Sequence, residues 1–144
     1  MASEDGMKKY ELVFSSKVEN IEKVEALTER ITREMNFPDE ERDSIAIAVT
    51  EAVNNAIIHG NELEEGKKVH VEFSINTDIL TIMVQDEGGG KGFDPDELPD
   101  PLDPENILKE SGRGVFILKS LMDEVNFEFS QRGCKLTLIK SKLN

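Results

Sequence analysis

The sequence predicts an α/β (α+β) two-layer sandwich, in which a mixed, mostly antiparallel sheet is covered on one face by helices. Three observations predict it. Segments 68–85 and 123–140 each hold two alternating runs joined by a short turn, the pattern of a hairpin. Two long helical patterns lie between the first strand and the first hairpin. A third apolar helical pattern lies between the hairpins. Helices set apart from antiparallel strands bury their apolar stripes on one face of the sheet.

The elements follow in order. Residues 1–7 read as a frayed leader. Lys8–Phe14 alternates, with Tyr10, Leu12 and Phe14 on one side, and reads as a strand. Ser16 is placed to cap the next element. From Val18 to about Met35, the apolar positions Val18, Ile21, Val24, Leu27 and Ile31 step by three and four, giving an amphipathic helix. Pro38 stands at the start of a second helix, where proline is tolerated. Asp39, Glu40 and Glu41 suit the positive end of its dipole. This helix runs to about His59 and stops at Gly60, a helix-ending residue type.

In Lys68–Ile75 the residues Val69, Val71, Phe73 and Ile75 alternate with polar ones. Asn76-Thr77-Asp78 turns the chain into a strand over Ile79–Gln85. There Leu80, Ile82 and Val84 share one phase with Asp86, so the strand delivers a carboxylate toward its buried side. Four glycines follow: Gly88, Gly89, Gly90 and Gly92. From Phe93 to Glu110 there are seven acidic side chains, one base and four of the chain's five prolines. That composition buries little, so the segment reads as a mobile loop with a short helical turn near Glu105–Leu108. Ser111-Gly112-Arg113-Gly114 opens an apolar helix over Val115–Met122. Strands over Asp123–Ser130 and Cys134–Lys140 flank a turn at Gln131-Arg132-Gly133.

Bulk properties limit the function classes. A length of 144 residues suits one domain with a real core. The net charge of −13 leaves no basic surplus to neutralise phosphates, which argues against nucleic acid and anionic membranes. A basic protein partner is compatible with it. The single Cys134 excludes an internal disulfide and fits a reducing, cytoplasmic setting. The first residues lack the apolar core of a signal peptide, and no apolar run reaches the roughly 18 residues of a membrane span.

Chemistry concentrates where polar groups sit in apolar slots. In Thr50–Glu62, Glu51, Asn55 and His59 recur every four residues on an otherwise apolar helix, with Asn54 three after Glu51. A carboxylate and amides pressed into a core need partners. Protein, water, or a ligand with a metal would each serve. An amide oxygen is a neutral ligand for magnesium, and a carboxylate one turn away polarises a hydroxyl. Asp86 is either a turn residue or an acceptor for an exocyclic amine. Gly112-x-Gly114 is either loop-to-helix packing or a phosphate site built from free N–H groups. GGGKGF is no P-loop, since no Gly-Lys-Ser/Thr closes it. His59 reads as a helix-end residue and His70 lies on a polar strand phase. One cysteine and no second ligand cluster argue against zinc.

Taken together, Glu51-Ala-Val-Asn-Asn55, Asp86-Glu-Gly88-Gly-Gly90 and Gly112-Arg-Gly114 resemble, in that order, the asparagine box and the two glycine boxes of the GHKL (Bergerat-fold) ATPase superfamily. EAVNNAIIHGN, the Phe-Asp-Pro at 93–95 and SGRGVFILKSLMDEV resemble the bacterial anti-sigma-factor serine/threonine-protein kinase family. The resemblance spans about Lys8 to Lys140. It implies a Bergerat ATP-binding fold, a single histidine-kinase-like ATPase domain over 1–144, and ATP and Mg2+ as cofactors.

Within that resemblance, Asn55 binds magnesium and Glu51 is the general base for a substrate serine. Asp86 binds the adenine amino group, with Gly88 and Gly90 beneath the nucleotide. A lid of about residues 91–111 follows, and Gly112, Arg113 and Gly114 meet the phosphates. The implied partners are a sigma factor, a STAS-domain anti-anti-sigma protein that is phosphorylated, and a second copy in a homodimer. The alternative is a nucleotide-gated protein-binding module with little or no kinase activity. Three departures bear on it. The glycine hinge is two residues longer than the family pattern. Glu110 stands where some relatives carry arginine, leaving Arg113 or Lys109 to supply the charge. Cys134 stands where a threonine often follows the glycine of the last strand.

Overall fold

The computed structural model describes residues 7–88 and 110–142. Five strands form one sheet: β1 (Lys8–Ser15), β2 (Lys68–Asn76), β3 (Ile79–Gln85), β4 (Glu124–Ser130) and β5 (Gly133–Ser141). Their order across the sheet is β1-β2-β3-β5-β4. All four neighbouring pairs are antiparallel. No parallel pair occurs among the described residues, where the sequence suggested a mixed sheet. Two hairpins joined edge to edge, with β1 brought back beside β2, leave no place for one.

The alternation of each strand sets the buried face. Tyr10 and Leu12 of β1 pair with Phe73 and Val71 of β2. Phe73 and Val71 pair with Ile82 and Val84 of β3, which pair in turn with Leu138 and Leu136 of β5. Val71, Phe73, Leu80, Ile82 and Leu138 are fully or almost fully buried. These rows continue the register that the alternation predicted, because a one-residue slip would turn every apolar side chain to solvent.

Three α-helices cover that face: α1 (Ile21–Glu34), α2 (Asp39–Asn54) and α3 (Glu110–Leu121). Val18–Asn20 is a short 3-10 turn ahead of α1, and Val18 is 50% exposed. The predicted apolar stripe therefore starts at Ile21. Thr28 and Thr32 lie on the buried face of α1, and each hydroxyl donates to the carbonyl four residues back (2.7 and 3.0 Å). That local bond lets a polar side chain occupy a core position at little cost. Ser16 caps no helix. It is buried, and its hydroxyl donates to the Lys67 carbonyl at 2.7 Å. Outside the core, Glu34 of α1 accepts from Lys8 and from the Tyr10 hydroxyl of β1, both at 2.9 Å. These bonds hold its carboxyl below the usual carboxylate range.

Pro38 occupies the N-cap of α2 with φ −59°, and Asp39, Glu40 and Glu41 fill the first turn, as expected. Ile45, Ala48, Val49, Ala52 and Val53 form its buried stripe. A π-helical turn, Asn55–Gly60, continues α2 and carries Ala56 and Ile57 into the same core. The predicted helix end at Gly60 is correct, but glycine's conformational freedom is not the reason. The left-handed residues come after Asn61, at Glu62 (φ 53°) and Leu63 (φ 61°). No helix among the described residues is long and apolar enough to cross a membrane.

Candidate functional site

The first cluster forms where α2 meets α3. Glu51 and Asn55 are half-buried beside the apolar stripe, one turn apart. Opposite them is Gly114, whose backbone is buried. A Cβ on Gly114 would stand 2.7 Å from Glu51 Oε2 and 3.2 Å from Asn55 Nδ2. The absence of a side chain at 114 is therefore what lets α3 close on the carboxylate and the amide. The helix begins before the glycines rather than after them: α3 already includes Glu110, so Gly112 and Gly114 lie inside its first turns.

The second cluster surrounds Asp86, only 6% exposed at the end of β3, as its strand phase predicted. Asp86 Oδ1 accepts from the N–H groups of Gly88 and Cys134, both at 3.0 Å. The main chain of Asp86 donates to the Cys134 carbonyl at 3.1 Å. Three glycines crowd the carboxylate. A Cβ on Gly60 would overlap Oδ2, and one on Gly88 would overlap the Gly60 carbonyl oxygen. One on Gly133 would stand 2.7 Å from Oδ1, and Gly133 also has φ 132°, a conformation that favours glycine. Burial raises the Asp86 pKa above 3.8, while the N–H donors of Cys134 and Gly88 and the charge of Lys67 pull the other way. Burial also pushes the Cys134 thiol up to about 12, with a smaller push from the Asp86 charge.

The π-helical turn joins the clusters. It starts at Asn55, in the first, and ends at Gly60, in the second. Such turns are rare and occur often at functional sites. Two carboxylates therefore sit in unlike settings. Glu51 stands half-buried against a helix backbone, and Asp86 is nearly enclosed with one oxygen committed to main-chain donors. The first can take a proton from a hydroxyl brought to it. The second can accept from a polar hydrogen on a flat ligand lying over the glycines.

The predicted residues divide accordingly. Glu51, Asn55 and Gly114 come together, as do Asp86 and Gly88. Gly90, residues 91–109 of the lid expected over about 91–111, and the helical turn at Glu105–Leu108 lie outside the described residues, whereas residues 110 and 111 belong to α3. The side chains of Glu110, Ser111 and Arg113, and the surroundings of Gly112, lie outside the description as well. His59 lies on the exposed side of the π-helical turn, and Asn54 is half-buried.

Sequence reading missed three features. Asn61 is fully buried and bonded on every side. Gly60 and Gly133 serve the Asp86 carboxylate rather than a helix end or a turn alone. On the uncovered sheet face, Glu11, His70 and Glu72 bring ligand atoms within 4.8 Å of one another. The register Glu11↔Glu72 makes that grouping, and His70 Nε2 lies 3.1 Å from Glu11 Oε2. Cross-strand pairing is invisible until the register is known.

Residues 14–140 match the family described as histidine kinase-like ATPase domain. The anti-sigma F factor of Clostridium perfringens is 35% identical over 140 residues, spanning 94% of this chain and 97% of that one. The serine-protein kinase RsbW of Bacillus subtilis is 30% identical over 102 residues, spanning 68% of this chain and 64% of that one. Among solved structures, the RsbU and RsbW domains of Rv1364c from Mycobacterium tuberculosis superpose with a TM-score of 0.66 at 15% identity. That match covers 93% of this chain and 32% of the other. The catalytic domain of histidine kinase ThkA superposes with a TM-score of 0.53 at 18% identity, over 94% and 96% of the two chains. The likeness to these two structures concerns the fold. The family match and the relatives go further: this chain belongs to the histidine kinase-like ATPase domain family, in the branch that holds the anti-sigma F factors and RsbW kinases.

Proposed function

We propose that this chain is one ATPase domain that transfers the γ-phosphoryl group of ATP to a serine of a STAS-class antagonist and acts as an anti-sigma factor. The observation that carries the reading is the meeting of Glu51, Asn55 and Gly114 on one side of the π-helical turn and of Asp86 and Gly88 on the other. Asp86 offers a carboxylate oxygen for the adenine amino group, over a floor of glycine backbone. In phosphoryl transfer the protein's part is mainly positioning and charge stabilisation. Glu51 accepts the proton of the serine hydroxyl as its oxygen bonds to the γ-phosphorus and the bond to ADP breaks.

The donor set suits a magnesium ion bound mainly through phosphates. Asn55 carries a neutral amide oxygen one helical turn from the Glu51 carboxylate, and no side chain at 114 fills the space before the two residues. Asn55 would hold the ion, whose contribution is to neutralise phosphate charge. Gly90, beneath the nucleotide with Gly88, and Gly112, Arg113 and Gly114, at the phosphates, complete the reading. The partners in this reading are a sigma factor and its STAS-class antagonist, with the chain acting in the cytoplasm as a homodimer. The names of the relatives, an anti-sigma F factor and a serine-protein kinase, support a sigma factor and a protein serine as targets.

The test is to incubate the purified chain with Mg2+, γ-labelled ATP and a STAS-domain protein from the same organism. Label on a serine of that protein supports the reading. ATP binding without transfer leaves a nucleotide-gated binding module instead. Failure to bind ATP at millimolar concentration removes both.

A further inference from the structure

Among the described residues, Asn61 is the most thoroughly bonded buried polar side chain outside the two clusters. It is 0% exposed. Its Nδ2 donates to Ser16 Oγ at 2.7 Å and to the Lys68 carbonyl at 3.0 Å. Its Oδ1 accepts from the Glu87 N–H at 2.7 Å. The amide thus ties the end of β1, the start of β2 and the chain leaving β3. The Glu87 carboxylate closes the same ring, accepting from the Lys68 N–H at 2.5 Å.

The position of Glu87 gives the ring a consequence. Glu87 lies between Asp86 and Gly88, and the Gly88 N–H donates to Asp86 Oδ1 at 3.0 Å. Asn61 therefore fixes the Asp86–Glu87 peptide, the one that leads into this donor. With the Cys134 N–H on the same oxygen, Oδ1 is fully engaged. Among the described residues no hydrogen bond is drawn to Oδ2, which faces the Cα of Gly60, the residue before Asn61. One side chain thus anchors both the segment behind Oδ2 and the turn that holds Oδ1.

We infer that Asn61 is a positioning residue for purine recognition: it sets the Asp86 carboxylate so that one oxygen is held by the main chain and the other is offered to an exocyclic amino group. This rests on the nucleotide reading given above. Asn61 itself touches no ligand. Its effect belongs to the base and not to the phosphates, which separates it from a residue that only stabilises the fold.

The experiment measures affinity for ATP and for inosine triphosphate, which lacks the amino group, by calorimetry on the full chain. Wild type should prefer ATP. Asn61→Ala should weaken ATP binding about tenfold, leave inosine triphosphate unchanged and so collapse the preference. Ser16→Ala, at the far end of the same ring, should lower the Tm and keep the preference. A folded Asn61→Ala chain with an intact preference overturns this inference alone. Wild type that binds no ATP overturns it together with the nucleotide reading. If Asn61→Ala does not fold, amide exchange in wild type decides. The Glu87 N–H should be protected, and more so with ATP. Exchange at the rate of an open loop with ATP bound overturns the inference.

Discussion

The Cα of Gly60 lies against Oδ2 of Asp86 so closely that any side chain at position 60 would occupy the place of that oxygen. The end of one helix and the end of one strand are thereby locked together. Gly60→Ala should displace the carboxylate, cost about 1–3 kcal/mol of stability by overpacking and weaken ATP binding more than tenfold. Gly66→Ala is the control, because a Cβ there meets nothing within 4 Å. It should change stability by less than about 0.5 kcal/mol. Denaturant melts and calorimetry on the two variants check the pair.

Asp86 sets a conflict between stability and the proposed nucleotide binding. Burial holds its carboxyl pKa above 3.8. The native state therefore binds that proton more tightly than the unfolded chain does. Stability from this group is present at low pH and is lost as pH rises from 3.8 through the raised native value. Asp86→Asn keeps an oxygen acceptor for the N–H groups of Gly88 and Cys134 without a charge. The variant should be at least as stable as wild type at neutral pH and should lack this part of the pH dependence. Its ATP affinity should fall about a hundredfold or more, since the amide's oxygen and NH2 group no longer match the adenine edge. Melting curves across pH at constant ionic strength, with ATP titrations at pH 7, measure both.

Cys134 should be a poor nucleophile. Its thiol is pushed from 9.0 to about 12, so its thiolate fraction at neutral pH is about a thousandfold below that of an ordinary thiol. The greater nucleophilicity of a high-pKa thiolate recovers about half of that on a logarithmic scale. Alkylation of the folded chain should then be about thirtyfold slower than that of the chain in denaturant, as a timed iodoacetamide reaction would show. Equal rates would mean that the thiol is neither buried nor influenced by Asp86.

The fold was legible to the degree that one-dimensional periodicity carries it. Tyr10/Leu12, Val71/Phe73, Ile82/Val84 and Leu136/Leu138 announce their buried faces by alternation, and their pairing follows from that. Asp86 was legible for the same reason, being in phase with Leu80, Ile82 and Val84. Val18 stands apart because spacing alone cannot distinguish the first apolar residue of a stripe from an exposed one on a 3-10 turn. Thr28 and Thr32 escaped because their hydroxyls are satisfied within their own helix. Gly60 and Gly133, and Asn61 in its bonds to Ser16 and Glu87, act through contacts 26 or more positions away in the chain, and no local pattern distinguishes a buried clamp from a loop asparagine or a turn glycine. The all-antiparallel order depends on β1 returning beside β2, a long-range pairing that composition does not encode.

The central claim is that Glu51 takes the serine proton while Asn55 and Asp86 hold the nucleotide. The most direct measurement is single-turnover phosphoryl transfer by Glu51→Gln, alongside its ATP dissociation constant. Removing a positioned general base costs about a hundredfold to ten-thousandfold in rate. Glu51→Gln should therefore bind ATP within about threefold of wild type and transfer phosphate at least a hundredfold more slowly. Transfer at the wild-type rate with unchanged ATP affinity would contradict the account.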